Sequence, residues 1–307
     1  MAKTSFNRRA LVGGGLAALA GAGALGWWRF AGPGAFDPEA RTCNICDTTA
    51  RFRGFARRQN AVCPNCKAKE RHRLLMHYLE HETDVWTAKL DVLHFSPDAA
   101  QKAVFKSLPN LNYVTADYLR TDEDLQLDLT NLDQPDESWD VLIVYHILEH
   151  IPDDRAAMKE MLRVLRPGGR AFVQVPIEVG RKKNYEDPSI TTDAGRSKAF
   201  GQKDHVRKYG SKGFMRRLKA AGFEVDPVDY ISMLDPAVVE KYRMSASFKP
   251  PLDESIWVLT RPENPNSHSS RRRSGGPRRA EGPAEGGATK VPAGPESASG
   301  EKASRKK

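Results

Sequence analysis

Residues 139–146 (WDVLIVYH) form a nearly unbroken apolar run, and a strand of that composition is stable only with both faces covered. Covering both faces takes a layer of helices on each side, which points to an α/β fold built on a parallel sheet. The neighbouring sequence agrees. Residues 90–95 (LDVLHF) are a short apolar run that breaks at Ser96-Pro97 before a helical stretch to Leu108, and residues 111–116 (LNYVTA) are a second strand ending at Asp117. Residues 155–165 carry Met158, Met161, Leu162 and Leu165 at helical spacing and stop at Pro167-Gly168-Gly169. Residues 171–175 (AFVQV) read as another buried strand, 211–221 as a helix ended by Gly222, and 223–230 and 255–260 as the last strands. Repeated βα units with right-handed crossovers predict a doubly wound, mostly parallel sheet. The last two strands are expected to form an antiparallel edge, with no helix required between them.

Ahead of this body stand all four cysteines of the chain. Cys43-x2-Cys46 and Cys63-x2-Cys66 are separated by sixteen residues. Two such turns set four thiolates at the corners of a tetrahedron, about 2.3 Å from a Zn²⁺ ion. The insert, residues 51–62, suits a hairpin that closes the site, as in zinc ribbons. A redox role needs one reactive pair in a thioredoxin-like βαβ setting, which is missing. Four protein ligands leave no open coordination position, so the expected zinc is structural. With no cysteine left for a disulfide, the pattern fits a reducing compartment. Residues 69–81 are amphipathic, with Leu74, Leu75, Tyr78 and Leu79 on one side, and are expected to pack the module onto the body.

The net charge of +9 is local rather than general. The leader contributes Lys3, Arg8 and Arg9; the tail from residue 262 holds ten Lys/Arg against five Glu; residues 41–73 hold nine Lys/Arg against two acids. The remaining body is mildly acidic, so charge alone does not make this a nucleic-acid-binding protein. The basic residues of the module orient an anionic substrate such as RNA, or else offset the charge of a zinc tetrathiolate.

In the leader, residues 10–28 are an uncharged run rich in Ala, Gly and Leu, just long enough to span a bilayer. An uncleaved membrane tether, a twin-arginine export signal and an unstructured leader all fit it. Zinc-thiolate ligands argue against export, whereas Arg8-Arg9 would hold the N-terminus in the cytoplasm and send the body across. The tail, 262–307, is too poor in large apolar residues to fold and is expected to be disordered. Its arginine clusters at 271–273 and 278–279 would contact RNA or anionic lipid, or serve only solubility. The expected layout is a leader over 1–40, a zinc module with its connecting helix over 41–82, an α/β domain over 83–261 and the tail.

The run from Asp140 through Gly169 (DVLIVYHILEHIPDDRAAMKEMLRVLRPGG) resembles the middle of type-11 class I S-adenosylmethionine-dependent methyltransferases. With residues 200–210 (FGQKDHVRKYG) and the zinc module, it is similar to an uncharacterised bacterial branch of that group, over about residues 41–261. The resemblance implies a Rossmann-like domain binding S-adenosylmethionine and moving a methyl group to an O or N acceptor, in the cytoplasm or on a membrane tether. It places cofactor contacts at the first-strand turn through His94, Ser96 and Asp98, ribose at Asp117, adenine at Asp128 and Leu129, and the cofactor–substrate border at Tyr145 and His146. The first-strand turn has no glycine, a departure that admits a second reading, a scaffold protein with weakened cofactor binding. His146-x-x-Glu149-His150 also spells an inverted zinc-peptidase signature, but His146 closes a strand and Pro152 limits any helix after it.

The long polar connection at 177–210 lies where such a fold covers its substrate, and loops of that length are usually functional. Asp204, His205, Arg207 and Tyr209 are its candidate catalytic residues, with His205 or Asp204 as base; local salt bridges that pin the loop are the competing role. The acceptor is open between RNA, a saccharide or lipid-linked metabolite, and another small molecule.

Overall fold

The computed structural model describes residues 39–55, 58–245 and 252–263. The apolar run at 10–28 and the tail from 264 lie outside them. Among the described residues no helix is long and apolar enough to cross a membrane.

Four short strands come first: β1 (Ala40–Thr42) pairs antiparallel with β2 (Thr49–Arg51), and β3 (Arg53–Phe55) with β4 (Arg58–Val62). Then follow α1 (Glu70–Glu82), β5 (Leu90–Phe95), α2 (Ala99–Lys106), β6 (Leu111–Asp117), β7 (Leu125–Gln126), β8 (Trp139–Tyr145), α3 (Asp154–Val164) and β9 (Leu165–Gln174). The rest comprises β10 (Ile177–Glu178), β11 (Tyr185–Glu186), α4 (Asp193–Phe200), β12 (Arg207–Lys208), α5 (Ser211–Ala221), β13 (Glu224–Val228), α6 (Tyr230–Met233), α7 (Pro236–Tyr242), β14 (Leu252–Asp253) and β15 (Ile256–Thr260).

Seven of these strands form one sheet in the order β13-β15-β9-β8-β5-β6-β7. β9, β8, β5, β6 and β7 run parallel, and β15 is antiparallel to both β9 and β13. The predicted antiparallel edge is there. It is not a simple hairpin: α6 and α7 intervene, capped by Asp229 and Asp235, with Pro236 at the start of α7.

The apolar run behaves as its composition demands. Val141, Leu142, Ile143 and Val144 of β8 are all fully buried and alternate between two cores, Leu142 and Val144 facing α3 and α5, Val141 and Ile143 facing α1 and α2. Each such side chain contributes about 2 kcal/mol of burial. The cysteine module shares the second core, because Cys43, Ile45, Phe52 and Cys63 cluster with Leu74, Leu75 and Leu79 of α1 and with Phe172 of β9. Arg73 clamps this junction. Fully buried, it donates from Nε to Tyr242 O (2.8 Å), and from its Nη atoms to Ala68 O (2.6 Å), Ala61 O (3.0 Å) and Arg243 O (2.7 Å). One guanidinium thus ties the module, the start of α1 and the end of α7 together.

At the carboxyl edge of the sheet the chain leaves β5 and β8 through strained residues. Ser96 has φ +48° and His146 φ +56°, a left-handed conformation that costs a non-glycine residue about 1–2 kcal/mol. The glycine-free turn therefore adopts the conformation that a glycine would supply. Ser96 N donates to Ala116 O (2.7 Å) and Ser96 Oγ to Asp117 Oδ2 (2.7 Å), which holds the strained turn against β6.

The connection at 177–210 is more ordered than its polarity suggests. β11 pairs with β12, and α4 is capped by Thr192 and ended by Gly201 in the left-handed region. Arg207 is buried and donates from Nη1 to Leu148 O (2.9 Å) and to Ile151 O, from Nη2 to Pro152 O (2.7 Å) and from Nε to Glu186 Oε1 (2.7 Å). Tyr209, with no exposure, donates its hydroxyl to Asp154 and to Leu148 O. Arg217 joins Asp154 to Glu186. The expected salt bridges that pin this segment are thus present through Arg207, and Tyr209 joins the same network by hydrogen bonds.

Two outcomes follow from these contacts. The hydrogen bond from Arg217, helped by Arg207 against the cost of burial, holds the Glu186 carboxyl down at about 2, below its ordinary 4.5. A depressed acid contributes stability that is complete above the ordinary value and lost as pH falls toward the depressed one. Chemical denaturation measured from pH 5 downward should show stability falling between about 4.5 and about 2, with a shallower slope in Glu186→Gln. At the β5 turn, Ser96→Gly and Ser96→Ala both lose the bond to Asp117, but only glycine relieves the backbone. Urea titration should find Ser96→Gly more stable than Ser96→Ala by about 1 kcal/mol.

Candidate functional site

Strand order reverses between β5 and β8: from β5 the chain builds outward through β6 and β7, and from β8 it builds the other way. Loops leaving two such strands diverge and open a crevice at their carboxyl ends, where ligands bind in open α/β sheets. A cavity of about 800 Å³ lies there, lined by the ends of β5 (Phe95, Ser96), β6 (Asp117) and β8 (His146) and by the segments that follow them. That size suits a cofactor or drug-sized ligand.

One wall is acidic. Asp117 Oδ1 accepts from the backbone N–H groups of Leu119 (2.8 Å) and Arg120 (2.9 Å), and Oδ2 accepts from Ser96. Burial opposes ionisation, but these hydrogen bonds outweigh it and hold the carboxyl below its usual range. Three bonds leave roughly one acceptor direction of an ionised carboxylate for a ligand. Asp128 Oδ1 accepts from Thr130 N and Thr130 Oγ1, both at 2.8 Å. Leu127 and Leu129 line the cavity beside it, and Phe95, Ile147 and Ile151 complete an apolar floor. Tyr118 and Leu119, both exposed, sit at the rim.

The opposite wall is a histidine–carboxylate cluster. Glu149 is buried at 1% exposure; its Oε1 meets His146 Nδ1 at 3.2 Å, and its Oε2 has no hydrogen-bond partner among the described residues. Burial raises the Glu149 carboxyl, while the His146 bond and the nearby imidazoles pull it down further, leaving it below the usual range. His150 Nδ1 lies 3.3 Å from Asp204 O and 3.4 Å from Asp204 Oδ2, and its ring stands edge-on to His205 at 4.7 Å. Burial lowers the His205 imidazole, favouring its neutral form. Asp204 and His150 line the cavity, with Glu149 and His205 behind them. The Val206 N–H bond to Glu149 O (3.0 Å) and the Arg207 bonds to Leu148, Ile151 and Pro152 hold this wall in place.

Of the residues expected to hold a cofactor, the structure brings Ser96, Asp117, Asp128, Leu129 and His146 to the cavity. It turns three others away. His94 points to the opposite face, with Nδ1 3.0 Å from Tyr113 OH, and burial pushes its imidazole down to about 3. Asp98 caps α2 by accepting from Ala100 N and pairs with His72 of α1 at 3.3 Å. Tyr145 packs against the α1 side of the sheet. Period-two alternation explains His94 and Tyr145, since their strand neighbours Phe95 and His146 are the ones on the cavity side. Among the candidates for chemistry, Asp204 and His205 join the cluster, whereas Arg207 and Tyr209 are consumed in pinning it. Tyr118, Leu119, Ile147 and Ile151 were not anticipated, although their place directly after strand ends is a usable signal.

The four cysteine sulfurs form a separate centre. Cys43 Sγ lies 3.5 Å from Cys66 Sγ and Cys46 Sγ lies 3.7 Å from Cys63 Sγ, and all four fall within 4.8 Å of one another. Disulfides need about 2.05 Å, whereas a tetrahedron with metal–sulfur distances of about 2.3 Å has edges of about 3.8 Å. The two turns repeat one geometry: Cys43 O accepts from Asp47 N and Cys63 O from Lys67 N, and Asp47 and Lys67 are both left-handed. A second depression, of about 540 Å³, is lined by Arg155, Lys159, Lys183, Arg216 and Arg217 and adjoins no parallel-strand end.

Residues 93–173 match the family model described as a methyltransferase domain. A probable S-adenosylmethionine-dependent methyltransferase of Mycolicibacterium smegmatis is 33% identical over 98 residues, covering 32% of this chain and 34% of that protein. The ubiquinone/menaquinone biosynthesis C-methyltransferase of Bdellovibrio bacteriovorus is 31% identical over 121 residues, covering 35% of this chain and 51% of its own length. The chain thus spans between a third and about half of the curated relatives it matches. A solved S-adenosylmethionine-dependent methyltransferase from Mesorhizobium loti is 13% identical, with a TM-score of 0.40 over 64% of this chain and 100% of its own, and adds nothing to the sheet order already described. The matched segment begins in β5 and ends in β9, so the likeness to the methyltransferase domain model covers the strands that open the cavity.

Proposed function

We propose that the cavity binds S-adenosylmethionine and that the chain transfers its methyl group to an oxygen or nitrogen acceptor presented at the Glu149–His150–His205 wall. The observation that carries this reading is Asp117, a carboxylate fixed at the end of β6 beside the strand reversal, with acceptor capacity left over. It suits a ribose hydroxyl donor. Asp128, with one oxygen engaged by Thr130, and Leu129 beside it frame the adenine end. Phe95, Leu127 and Ile147 exclude water from the floor. When bound, the cofactor supplies a sulfonium-activated methyl group for in-line displacement.

The chain's own part is mostly positioning. Asp204, which lines the cavity beside His150, provides a place for the proton an acceptor loses. The scaffold reading draws on the glycine-free turn; Ser96 in the left-handed region supplies the backbone conformation of a glycine there, which supports the cofactor-binding reading. The reading further assigns a structural Zn²⁺ to Cys43, Cys46, Cys63 and Cys66, whose spacing suits four thiolate bonds.

Calorimetric titration with S-adenosylhomocysteine tests the reading. The full chain should bind in the micromolar range, and Asp117→Ala should weaken binding about 10- to 100-fold, the equivalent of a charge-assisted hydrogen bond or two. Absence of heat at millimolar ligand, with the protein folded, would sink it.

A further inference from the structure

The wall cluster contains more ligand chemistry than a proton acceptor needs. Glu149, His150 and His205 each offer one ligand atom, and these atoms lie within 4.8 Å of one another. Two imidazoles and one carboxylate are a recurring donor set for divalent first-row metals with open positions left for a further ligand. We infer that Glu149, His150 and His205 form a binding site for a divalent first-row transition-metal ion at the wall of the cavity.

Three independent features support the site. Glu149 Oε2 is buried without a hydrogen-bond partner among the described residues, and a bare buried carboxylate oxygen costs several kcal/mol unless something compensates it. Its other oxygen is held by His146, so the free one is fixed in direction. Next, the outer shell is already built. Metal-binding histidines usually give their second nitrogen to a carboxylate or carbonyl, and His150 Nδ1 faces both Asp204 O and Asp204 Oδ2, which leaves Nε2 as the ligand atom. Last, His205 is buried to 4% exposure with its ring edge-on to His150 at 4.7 Å, which brings the second imidazole to the same point. Access runs through His150, which lines the cavity and is part-exposed.

The site is chemically distinct from the cysteine centre. Nitrogen and oxygen donors suit ions such as Co²⁺, Mn²⁺ or Fe²⁺, while four thiolates select zinc. Three protein ligands also leave coordination positions open, so the ion would take an oxygen-bearing group from the cavity. That consequence rests on the methyl-transfer reading; the binding itself does not.

The test is titration of the full chain, as purified, with Co²⁺, followed by calorimetry and visible absorption. One equivalent should bind without a thiolate-to-cobalt charge-transfer band. Removing a ligand in His205→Gln or Glu149→Gln should weaken binding by more than about 100-fold, since even outer-shell losses cost about 10- to 100-fold. Asp204→Asn, on an exposed side chain, should keep the fold and weaken binding about 10-fold or more. The inference is overturned by no binding at millimolar Co²⁺. It is equally overturned by binding that survives Asp204→Asn and a folded His205→Gln unchanged. S-Adenosylhomocysteine binding is scored separately, so loss of one reading leaves the other standing.

Discussion

The central sheet is buried on both faces, and that constraint governs everything at its edges. A strand such as β8, whose side chains enter two cores in turn, cannot drift out of the sheet gradually. Its backbone has to leave both cores at once, and it does so at the carboxyl end through a left-handed residue, His146, just as β5 does through Ser96. Strain of this kind persists only where the surroundings over-determine the backbone. Here the Ser96–Asp117 and His146–Gln174 bonds supply that constraint. Because the two turns diverge at the point where strand order reverses, the strained residues and the cavity are consequences of one topology.

The second requirement is to hold the cavity walls still, and buried arginines do this work at two places. Arg207 gathers the carbonyls of Leu148, Ile151 and Pro152, so the short turn that carries Glu149 and His150 is fixed from behind. Arg73 does the equivalent for the cysteine module, tying β4, α1 and the end of α7. A guanidinium has five donors in a fixed fork, which is why arginine and not lysine can collect several carbonyls. Both are positioning residues. Neither needs to touch a ligand for its loss to disturb the site.

How much of this was legible in the sequence depends on the kind of signal. The sheet was, because burial on two faces leaves a continuous apolar run and helices leave a 3.6-residue period. The cysteine centre was, because four thiolates in two matching turns is a local pattern, reproduced down to the left-handed residues Asp47 and Lys67. Ser96 and Asp117 were reachable as strand-end positions. The roles of Arg207 and Tyr209 were not: a charged or phenolic side chain in a polar loop reads the same whether it faces a ligand or pins a turn. The direction taken by His94 and Tyr145 was likewise hidden, since a one-residue choice of strand end exchanges the two faces, and Asp98 was taken up as the cap of α2. The short helices α6 and α7 escaped notice although the Asp235-Pro236 pair carries a helix-start signal.

The most direct test of the account is the structure of the full chain with S-adenosylhomocysteine bound. The ligand should lie across the carboxyl ends of β5, β6 and β8, with a ribose hydroxyl on Asp117, the adenine beside Asp128 and Leu129, and its sulfur facing the His150 wall. A ligand seated in the basic depression between α3 and α5, or a ribose that makes no contact with Asp117, would contradict it.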